Sequence, residues 1–244
     1  GIYARKYQLQ EAEGSSFRGQ VVSKGSPLPK YFIRRSLGME RRESEGSDIL
    51  VSAEITPERR SVMAFKRRVR IGNYDYFERD DGTLIRAYAV SEIRRVERPP
   101  GVGADERWVH VDLSEQTLTA YEGDEAILAT LVSTGREPGM TPVGVFRIQS
   151  KFITTAMRDQ PPEDDAYSIE DVPWTQYFDQ NIALHGAFWH SGFGIVRSHG
   201  CVNLSPSDAR WLFGFLSSRV PAGWHAVMPG VGEAAQGSAV YVTE

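Results

Sequence analysis

The sequence predicts a mainly β protein made of two β-rich parts, with one short helix near its carboxyl-terminal end. Three observations favour this fold class. Residues 108–133 alternate between apolar and polar side chains and are interrupted twice by turns, as in a three-stranded meander. An Asp-Gly pair at residues 81–82, a common tight hairpin turn, separates two runs rich in Tyr, Ile and Val. One segment, beginning at Ser205, has the spacing of an amphipathic helix.

The helix is expected to follow Ser205, whose hydroxyl can cap it, with Pro206 at the first helical position. Asp208 completes a Ser-x-x-Asp pattern that resembles a capping box. Apolar side chains at residues 209, 212, 213 and 216 would form its buried face, and residues 221–223 would end it. Further strands are expected at residues 143–148, 182–184 and 224–228.

A boundary between two modules is expected at residues 97–103, where two prolines and two spaced glycines cannot continue a strand or a helix. Charge changes across it. Residues 1–105 contain 20 Lys and Arg against 15 Asp and Glu, whereas the rest contains 8 against 17. Such asymmetry is typical of two modules with different surroundings. The expected division is 1–98 as a β-rich amino-terminal domain of unknown role, 99–105 as a linker, 106–228 as a second β-rich domain, and 229–244 as a tail.

The composition is that of a globular chain without a membrane-spanning segment. The 244 residues are 41% hydrophobic and 25% charged, and no run of about 18 apolar residues occurs. The chain starts at Gly1 without an initiator Met or an apolar signal core. A signal or anchor segment is therefore expected to be missing from it, and an intact cytosolic chain is the alternative. The net charge is −4, and no nucleic-acid partner is expected.

The chemistry of the sequence is concentrated in residues 182–204, which contain its single cysteine, Cys201. A thiol attacks a carbonyl as the thiolate, and a neighbouring imidazole can take its proton. Gly200 lets the backbone bend so that N–H groups converge on one point, as an oxyanion hole requires. Three candidate partners precede the cysteine: His185, His190 and His199. On residue types alone, Cys201 could equally be a buried apolar residue, or a zinc ligand together with these histidines.

Residues 198–203, Ser-His-Gly-Cys-Val-Asn, resemble the signature Ser-His-Gly-Cys-hydrophobic-Arg/Asn of the L,D-transpeptidase (YkuD-type) catalytic domain. The His-Gly pair at 185–186 is similar to the upstream histidine of that family, 16 residues before the cysteine. Residues 133–146, with Ser-Thr-Gly followed by Thr-Pro-Val-Gly-Val-Phe, are similar to a second family block, and 111–118 to its first hairpin. The resemblance covers about residues 106–228. It implies a β-sandwich-like catalytic domain with one short capping helix.

The resemblance also implies roles for individual residues. Cys201 matches the acyl-forming nucleophile, and His185 the general base, oriented by the backbone carbonyl of Gly186. The backbone N–H groups of His199, Gly200 and Cys201 would form the oxyanion hole. Ser198 would hold this loop by hydrogen bonding.

Three further positions concern substrate binding. Trp189 resembles the pocket aromatic of the family, although a place in the core is equally compatible with the sequence. Asn203 stands where many members carry Arg, so a guanidinium contact to a substrate carboxylate is not assumed. His190 has no counterpart in the motif and is expected to face solvent.

The implied reaction is attack of Cys201 on the bond between an L-centre and a terminal D-residue of a peptidoglycan tetrapeptide stem. The acyl group would pass to an amine of another stem, or to water in an L,D-carboxypeptidase. The resemblance implies no metal and no organic cofactor, inhibition by carbapenems, an extracytoplasmic location, and a role in cell wall biogenesis and cell shape. Two alternatives remain: an inactive wall-binding protein and a zinc-binding module. The basic amino-terminal part would either dock on the anionic wall or pack against the acidic second part.

Overall fold

The computed structural model describes residues 15–158, 168–229 and 237–244. Within these ranges the chain forms four β-sheets, one α-helix and a short 3-10 turn at Ala87–Ala89, which confirms the mainly β class. None of the helical segments in these ranges is both long and apolar enough to span a bilayer. Strands are numbered below in chain order.

A six-stranded sheet forms one wall of the carboxyl-terminal part, with the strand order β1-β12-β11-β10-β19-β13. The predicted meander is its centre, since β10, β11 and β12 pair antiparallel in succession. The bounds are β1 Gln20–Val21, β10 Arg107–Asp112, β11 Thr117–Glu122, β12 Glu125–Leu131, β13 Gly144–Arg147 and β19 Ala239–Thr243.

The end of the chain is part of this sheet, so the expectation of a tail at 229–244 is wrong for residues 239–243. Strand β19 pairs parallel with β10 and antiparallel with β13, and its Val240 and Val242 side chains are buried in the main hydrophobic cluster. Residues 230–236 lie outside the described ranges. The backbone of the final strand is hydrogen-bonded by β10 and β13, which lie far from it in sequence. Its buried side chains complete the core.

A five-stranded sheet forms the second wall, with the order β17-β16-β15-β14-β18. Its long β14–β15 hairpin was not predicted from the sequence, and residues 159–167 at its tip lie outside the described ranges. Strands β16 and β17 run parallel and are joined by residues 187–201. The bounds are β14 Ser150–Arg158, β15 Ser168–Asp179, β16 Ile182–Gly186, β17 Val202–Leu204 and β18 Ala226–Val227.

The amino-terminal part contains the other two sheets, with the orders β5-β2-β9 and β4-β3-β8-β7-β6. The predicted hairpin is confirmed as β7–β8, and Gly82 in its turn has a φ of +79°. The second strand of this hairpin is shorter than expected. The bounds are β2 Lys30–Ile33, β3 Glu40–Arg42, β4 Leu50–Ser52, β5 Val62–Met63, β6 Arg67–Ile71, β7 Tyr74–Glu78, β8 Leu84–Arg86 and β9 Val90–Ile93.

The single helix described, α1, spans Pro206–Phe215 and begins as predicted. The Ser205 hydroxyl accepts a hydrogen bond from the backbone N–H of Asp208 at 3.2 Å, which satisfies one of the first-turn donors. Leu212 and Phe213 lie on its buried face. This face packs on β15, β16 and β17 of the five-stranded sheet, in a cluster that also contains side chains of the six-stranded sheet.

Helix α1 ends earlier than the sequence suggested, and a buried lysine lies at its end. Lys151 on β14 is fully buried, and its ammonium donates to the carbonyls of Phe213 at 2.6 Å and Leu216 at 2.8 Å. These carbonyls have no partner within the helix, and a cation at this end also interacts favourably with the helix dipole. Burial lowers the pKa of Lys151 to about 8. The helix ends at Phe215, well before Pro221, the residue expected to end it.

The amino-terminal part packs directly against the carboxyl-terminal part. One hydrophobic cluster contains Phe17, Phe32 and Ile93 from the first part, together with residues of the second. Hydrogen bonds cross between the two parts, including Ser91 Oγ to the Glu115 carbonyl at 2.6 Å. The two parts are therefore joined by an apolar cluster and by hydrogen bonds between them. Contributors from the second part include Trp108, Tyr121, Leu131 and Phe193.

We expect Asp208→Ala to destabilise the protein by about 3 kcal/mol, because it leaves buried donors without an acceptor. The Asp208 carboxylate accepts the Gly19 N–H at 3.0 and 3.1 Å and the Thr130 hydroxyl at 2.6 Å, which joins residues before β1 to helix α1. Urea unfolding would measure the change. Asp80→Ala, at an exposed position, is the control and should stay within about 0.5 kcal/mol. Equal effects of the two substitutions would contradict this account.

Candidate active site

The parallel pair β16–β17 places the two main candidate residues on one face of the sheet. His185 on β16 lies directly across from Asn203 on β17. Cys201 lies immediately before β17 and two residues before Asn203, so extending the alternation of that strand by one residue puts it on the same face as His185. Cys201 also packs against Ala183, two residues before His185. Strand spacing and rise put the Cα atoms of Cys201 and His185 about 8 Å apart on the diagonal, which is within reach of their side chains.

His185 is held in one orientation and one charge state. Its ring is buried, and Nδ1 lies 3.2 Å from the Gly186 carbonyl oxygen, the contact expected from the sequence. An N–H on Nδ1 donates to this carbonyl, which leaves Nε2 as the proton acceptor of the neutral ring. Burial lowers the pKa of His185 to about 4, and the nearby His190 adds to the effect. The imidazole is therefore neutral at physiological pH and can accept a proton.

Cys201 lies half-buried at the edge of a small apolar cluster. Met157, Val172 and Ala183 form this cluster, and the thiol donates to the Asn181 carbonyl at 3.6 Å. Tyr177 belongs to the same cluster. The pKa of Tyr177 is raised, first by burial and then by the charge of Cys201, so its phenol lies within electrostatic range of the thiol. Sequence reasoning did not identify Tyr177, which carries no motif signal.

Ser198 holds the loop before the cysteine, as predicted. Its hydroxyl donates to the Cys201 carbonyl at 2.6 Å and accepts the Gly200 N–H at 3.0 Å. Gly200 has a φ of +136°, and an added Cβ would lie 2.6 Å from the Met140 carbonyl oxygen and from the Ile182 side chain. Glycine is therefore required at this position. The Gly200 N–H is already used by Ser198, so its predicted role as an oxyanion donor is wrong for this conformation.

The Ser-Thr-Gly segment at 133–135 supports the Ser-His-Gly-Cys loop through backbone hydrogen bonds. Ser133 and Asn203 exchange N–H···O bonds of 3.0 and 2.8 Å, and the Ser198 N–H donates to the Thr134 carbonyl at 2.9 Å. Thr141, from the same family block, donates its hydroxyl to the Gly200 carbonyl at 2.7 Å. These contacts give a physical reason for the two sequence blocks to occur together.

His190 does not face solvent, and that expectation is wrong. The ring is half-buried, its Nδ1 accepts the Gly192 N–H at 3.0 Å, and its Nε2 lies 3.0 Å from Asn203 Nδ2. Burial lowers the pKa of His190 to about 4, with further lowering by the positive charges of Arg197 and Arg59. His190 is therefore a neutral member of the site, linked to Asn203.

Trp189 lies at the entrance to the site rather than in the core. Its side chain is 37% exposed, and its ring stacks on His185 with a centroid distance of 5.7 Å and an interplanar angle of 25°. A half-exposed Phe188 contacts it edge to face. These two rings form an apolar surface beside the buried histidine.

Three arginines that belong to no sequence motif contact the segment 187–201 between β16 and β17. Arg136 contacts His199 Nε2 through its guanidinium. From the amino-terminal part, Arg59 donates to the Phe193 carbonyl at 3.1 Å and Arg60 to the Ser191 carbonyl at 3.3 Å. The first half of the chain thus supports the segment that carries the candidate site. Sequence reasoning missed these residues because their contacts are set by tertiary packing.

The proposed zinc ligands do not converge. Across 15–158, 168–229 and 237–244, no group of three or more His, Cys, Asp or Glu side chains is arranged to hold a metal ion. His185 is bound to the Gly186 carbonyl, His190 to Gly192 and Asn203, and His199 contacts Arg136. The geometry gives no support to a zinc-binding module at these residues.

Comparison with known proteins connects this arrangement to one family. The model of the YkuD family, the L,D-transpeptidase catalytic domain, matches residues 106–242, which is more than half of the chain. The chain belongs to this family. The match extends beyond residue 228 and includes most of β19, in agreement with the place of that strand in the six-stranded sheet.

Curated relatives of this YkuD-family chain come from Mycobacterium tuberculosis. L,D-transpeptidase 1 is 29% identical over 108 residues, covering 41% of this chain and 43% of the relative. L,D-transpeptidase 2 is 28% identical over 116 residues, covering 45% and 28%. The chain thus spans less than half the length of the curated relatives that it matches.

Solved structures of L,D-transpeptidases are also similar to this chain. The LD transpeptidase LdtMt1 in complex with imipenem has a TM-score of 0.45 at 19% identity, covering 88% of this chain and 81% of that one. An L,D-transpeptidase from Mycobacterium smegmatis has a TM-score of 0.46 at 18% identity, covering 87% and 84%. The family assignment depends on the sequence match rather than on these scores.

We expect the free energy of unfolding of this YkuD-family protein to fall as the pH decreases from about 6.5 to about 4. The folded-state pKa of His185 is lowered to about 4, so in this window the unfolded chain binds more protons than the folded one. A shift of this size corresponds to about 3 kcal/mol, all of it present above pH 6.5.

Urea unfolding of the wild type and His185→Gln at several pH values would measure this contribution. The wild type should lose more stability than the variant between pH 6.5 and 4, because glutamine does not titrate. If the free energy of unfolding changes with pH in the same way in both proteins, His185 is not the group responsible.

Proposed function

We propose that this chain is a peptidoglycan L,D-transpeptidase that acts through an acyl-enzyme on Cys201, with His185 as the general base. Membership of the YkuD family supports the reaction class. The observation that supports the mechanism is a neutral, buried His185 on β16, paired with Asn203 two residues after Cys201, while Cys201 packs on the cluster that contains Ala183. Thiolate formation needs a base whose acceptor nitrogen can take the thiol proton.

In the first step, His185 Nε2 takes the proton of the Cys201 thiol, and the sulfur forms a bond to the carbonyl carbon of the L–D peptide bond. The tetrahedral intermediate then collapses and breaks the C–N bond. The departing amine of the D-residue takes the proton from His185. The products are a thioester on Cys201 and a free D-amino acid, with His185 neutral again.

In the second step, an amine of another stem attacks the thioester carbonyl and transfers its proton through His185 to the leaving sulfur. A new amide bond forms as the C–S bond breaks. Water as the acceptor would give an L,D-carboxypeptidase.

Stabilisation of the oxyanion requires donors other than the Gly200 N–H, which is bound to Ser198. The resemblance also assigns the backbone N–H groups of His199 and Cys201 to this role. Ser198 and Gly200 then act by fixing the curvature of the loop that presents these donors. Because the proposed substrate is a wall polymer, the proposal also places the protein outside the cytoplasm.

We infer that the catalytic unit begins near residue 106 and includes β19, and that the preceding residues support it rather than form an independent domain. The buried Asp208 carboxylate bound by Gly19, and the contacts of Arg59 and Arg60 to the catalytic segment, support this division.

Two measurements on the wild-type protein test the proposed function. The first is intact mass after exposure to imipenem, the compound bound in the LdtMt1 structure. A stoichiometric adduct on Cys201 is expected. The second is analysis of the products formed from disaccharide-tetrapeptides, where cross-linked dimers indicate transpeptidation and tripeptides alone indicate carboxypeptidation. A chain that binds wall but yields neither adduct nor product would be an inactive wall-binding protein, and the proposal would fail.

A further inference from the structure

The imidazole of His190 connects the loop after β16 to strand β17. Its Nδ1 accepts the Gly192 N–H at 3.0 Å, and its Nε2 lies 3.0 Å from the side-chain amide of Asn203. The ring lies beside Phe193, with centroids 5.1 Å apart. Both ring nitrogens are thus in hydrogen-bonding contact, one with a backbone N–H and the other with a side-chain amide.

These contacts determine the tautomer of His190. A nitrogen that accepts a hydrogen bond carries no proton, so the Gly192 contact requires an unprotonated Nδ1. The neutral ring then has its hydrogen on Nε2. The positive charges of Arg59 and Arg197 oppose a second proton on this ring, as does burial. Nε2 is therefore a donor towards Asn203.

A donor on His190 requires an oxygen on Asn203. The amide oxygen and nitrogen have nearly the same shape and exchange places when the group turns by 180°. In the orientation with Nδ2 towards His190, Asn203 Oδ1 is buried and has no hydrogen-bond partner among the described residues. Turning the amide pairs Oδ1 with the His190 Nε2–H and places the NH2 group at the position of the unpartnered oxygen. The tautomer of His190 therefore favours the turned amide, in which the NH2 group rather than the oxygen is the group without a partner among the described residues.

The turned amide lies beside the candidate site, and its NH2 group occupies a position that is buried in this conformation. Asn203 is directly across from His185 in the paired strands and follows Cys201 by two residues on the same face. Substrates of the proposed reaction bring peptide carbonyl and carboxylate oxygens to this face. An amide N–H suits such an oxygen and would gain there the partner that it lacks within the described residues.

We propose that His190 is a positioning residue, which fixes the Asn203 amide with its NH2 group towards an oxygen of the acyl donor. This inference rests on the proposed function and extends it, because the sequence resemblance assigns no role to His190. His190 acts through Asn203 and is not itself in contact with the reacting atoms.

Two substitutions of His190 separate its two hydrogen bonds. In His190→Gln, the side-chain NH2 reaches the position of Nε2 and can still donate to Asn203. In His190→Asn, the shorter side chain can accept from Gly192 at the position of Nδ1 but no longer reaches Asn203. The control is His225→Asn, at an exposed histidine whose ring bonds only the Thr154 carbonyl among the contacts described.

We expect His190→Asn to raise the KM for the acyl donor by about tenfold or more, with a smaller change in kcat, since it disturbs substrate binding. His190→Gln should stay within about threefold of the wild type, as should His225→Asn. The double variant with Asn203→Ala should be no worse than Asn203→Ala alone, because the two residues act as one unit. Equal losses in His190→Gln and His190→Asn, or additive effects in the double variant, would overturn the proposal.

Nitrogen-15 NMR of the imidazoles gives a readout that does not depend on activity. The wild type should show His190 with a protonated Nε2 and an unprotonated Nδ1, and the opposite tautomer would refute the assignment. If the wild type forms no adduct with imipenem, the proposed function fails. The tautomer and the orientation of the Asn203 amide would still be decided by the NMR spectra, so the two failures are distinguishable.

Discussion

Cys201→Ala is expected to abolish both the imipenem adduct and the formation of cross-linked muropeptides. The sequence contains no other cysteine, and no other thiol can form the acyl-enzyme. Removal of a catalytic nucleophile lowers the rate by about 10⁴-fold or more, which is below detection in a product assay. Intact mass spectrometry and chromatography of the digested wall would measure the two losses.

The folded structure should survive this substitution. Cys201 lies at the edge of its apolar cluster, and the loop around it is held by Ser198, Thr141 and backbone bonds that do not involve the sulfur. We expect a change in the free energy of unfolding below about 1 kcal/mol. Cys201→Ser, which keeps a hydroxyl in place, should be inactive in the same assays. An imipenem adduct on the alanine variant would exclude the proposed mechanism.

His185→Gln is expected to lower the rate of acylation by about 10²- to 10⁴-fold, because glutamine cannot take the thiol proton. The orientation of His185 on the Gly186 carbonyl suits it to this role, and its ring is neutral near pH 7. Stopped-flow measurement of the reaction with imipenem would give the rate of acylation, which does not depend on the acyl acceptor.

His110→Gln is a matched control for this variant. His110 is also a buried histidine with a lowered pKa, and its Nε2 lies 2.9 Å from Thr243 Oγ1 on the last strand. It lies on β10 in the other large sheet, away from Cys201. Its replacement should lower stability but leave acylation within about threefold. Similar loss of acylation in both variants would indicate a general effect of losing a buried imidazole.

Much of the secondary structure could be predicted, whereas the β14–β15 hairpin could not. Its second strand contains Pro173, and Asp171 and Trp174 have positive φ values, so the alternation of a regular strand is broken. Register shifts interrupt its pairing on both sides. This hairpin forms the surface against which Cys201 packs, through Met157 and Val172. Its stability comes from long-range pairing, for which the local sequence contains no signal.

The sequence by itself determined the features that depend on neighbouring residues. The meander, the Asp-Gly hairpin and the cap of helix α1 follow from local periodicity and turn chemistry, and the separation of Cys201 from the upstream His185 follows from the motif. Other features could be seen only in the tertiary structure. They are the pairing of β19 in the sheet, the contact of Lys151 with the end of helix α1, the hydrogen bond of the Gly200 N–H to Ser198, and the contact of His190 with Asn203. Apart from the bond between Gly200 and Ser198, each of these contacts joins residues that are well separated in sequence. Their partners are decided by which groups are buried together, because a buried polar group needs a hydrogen-bond partner.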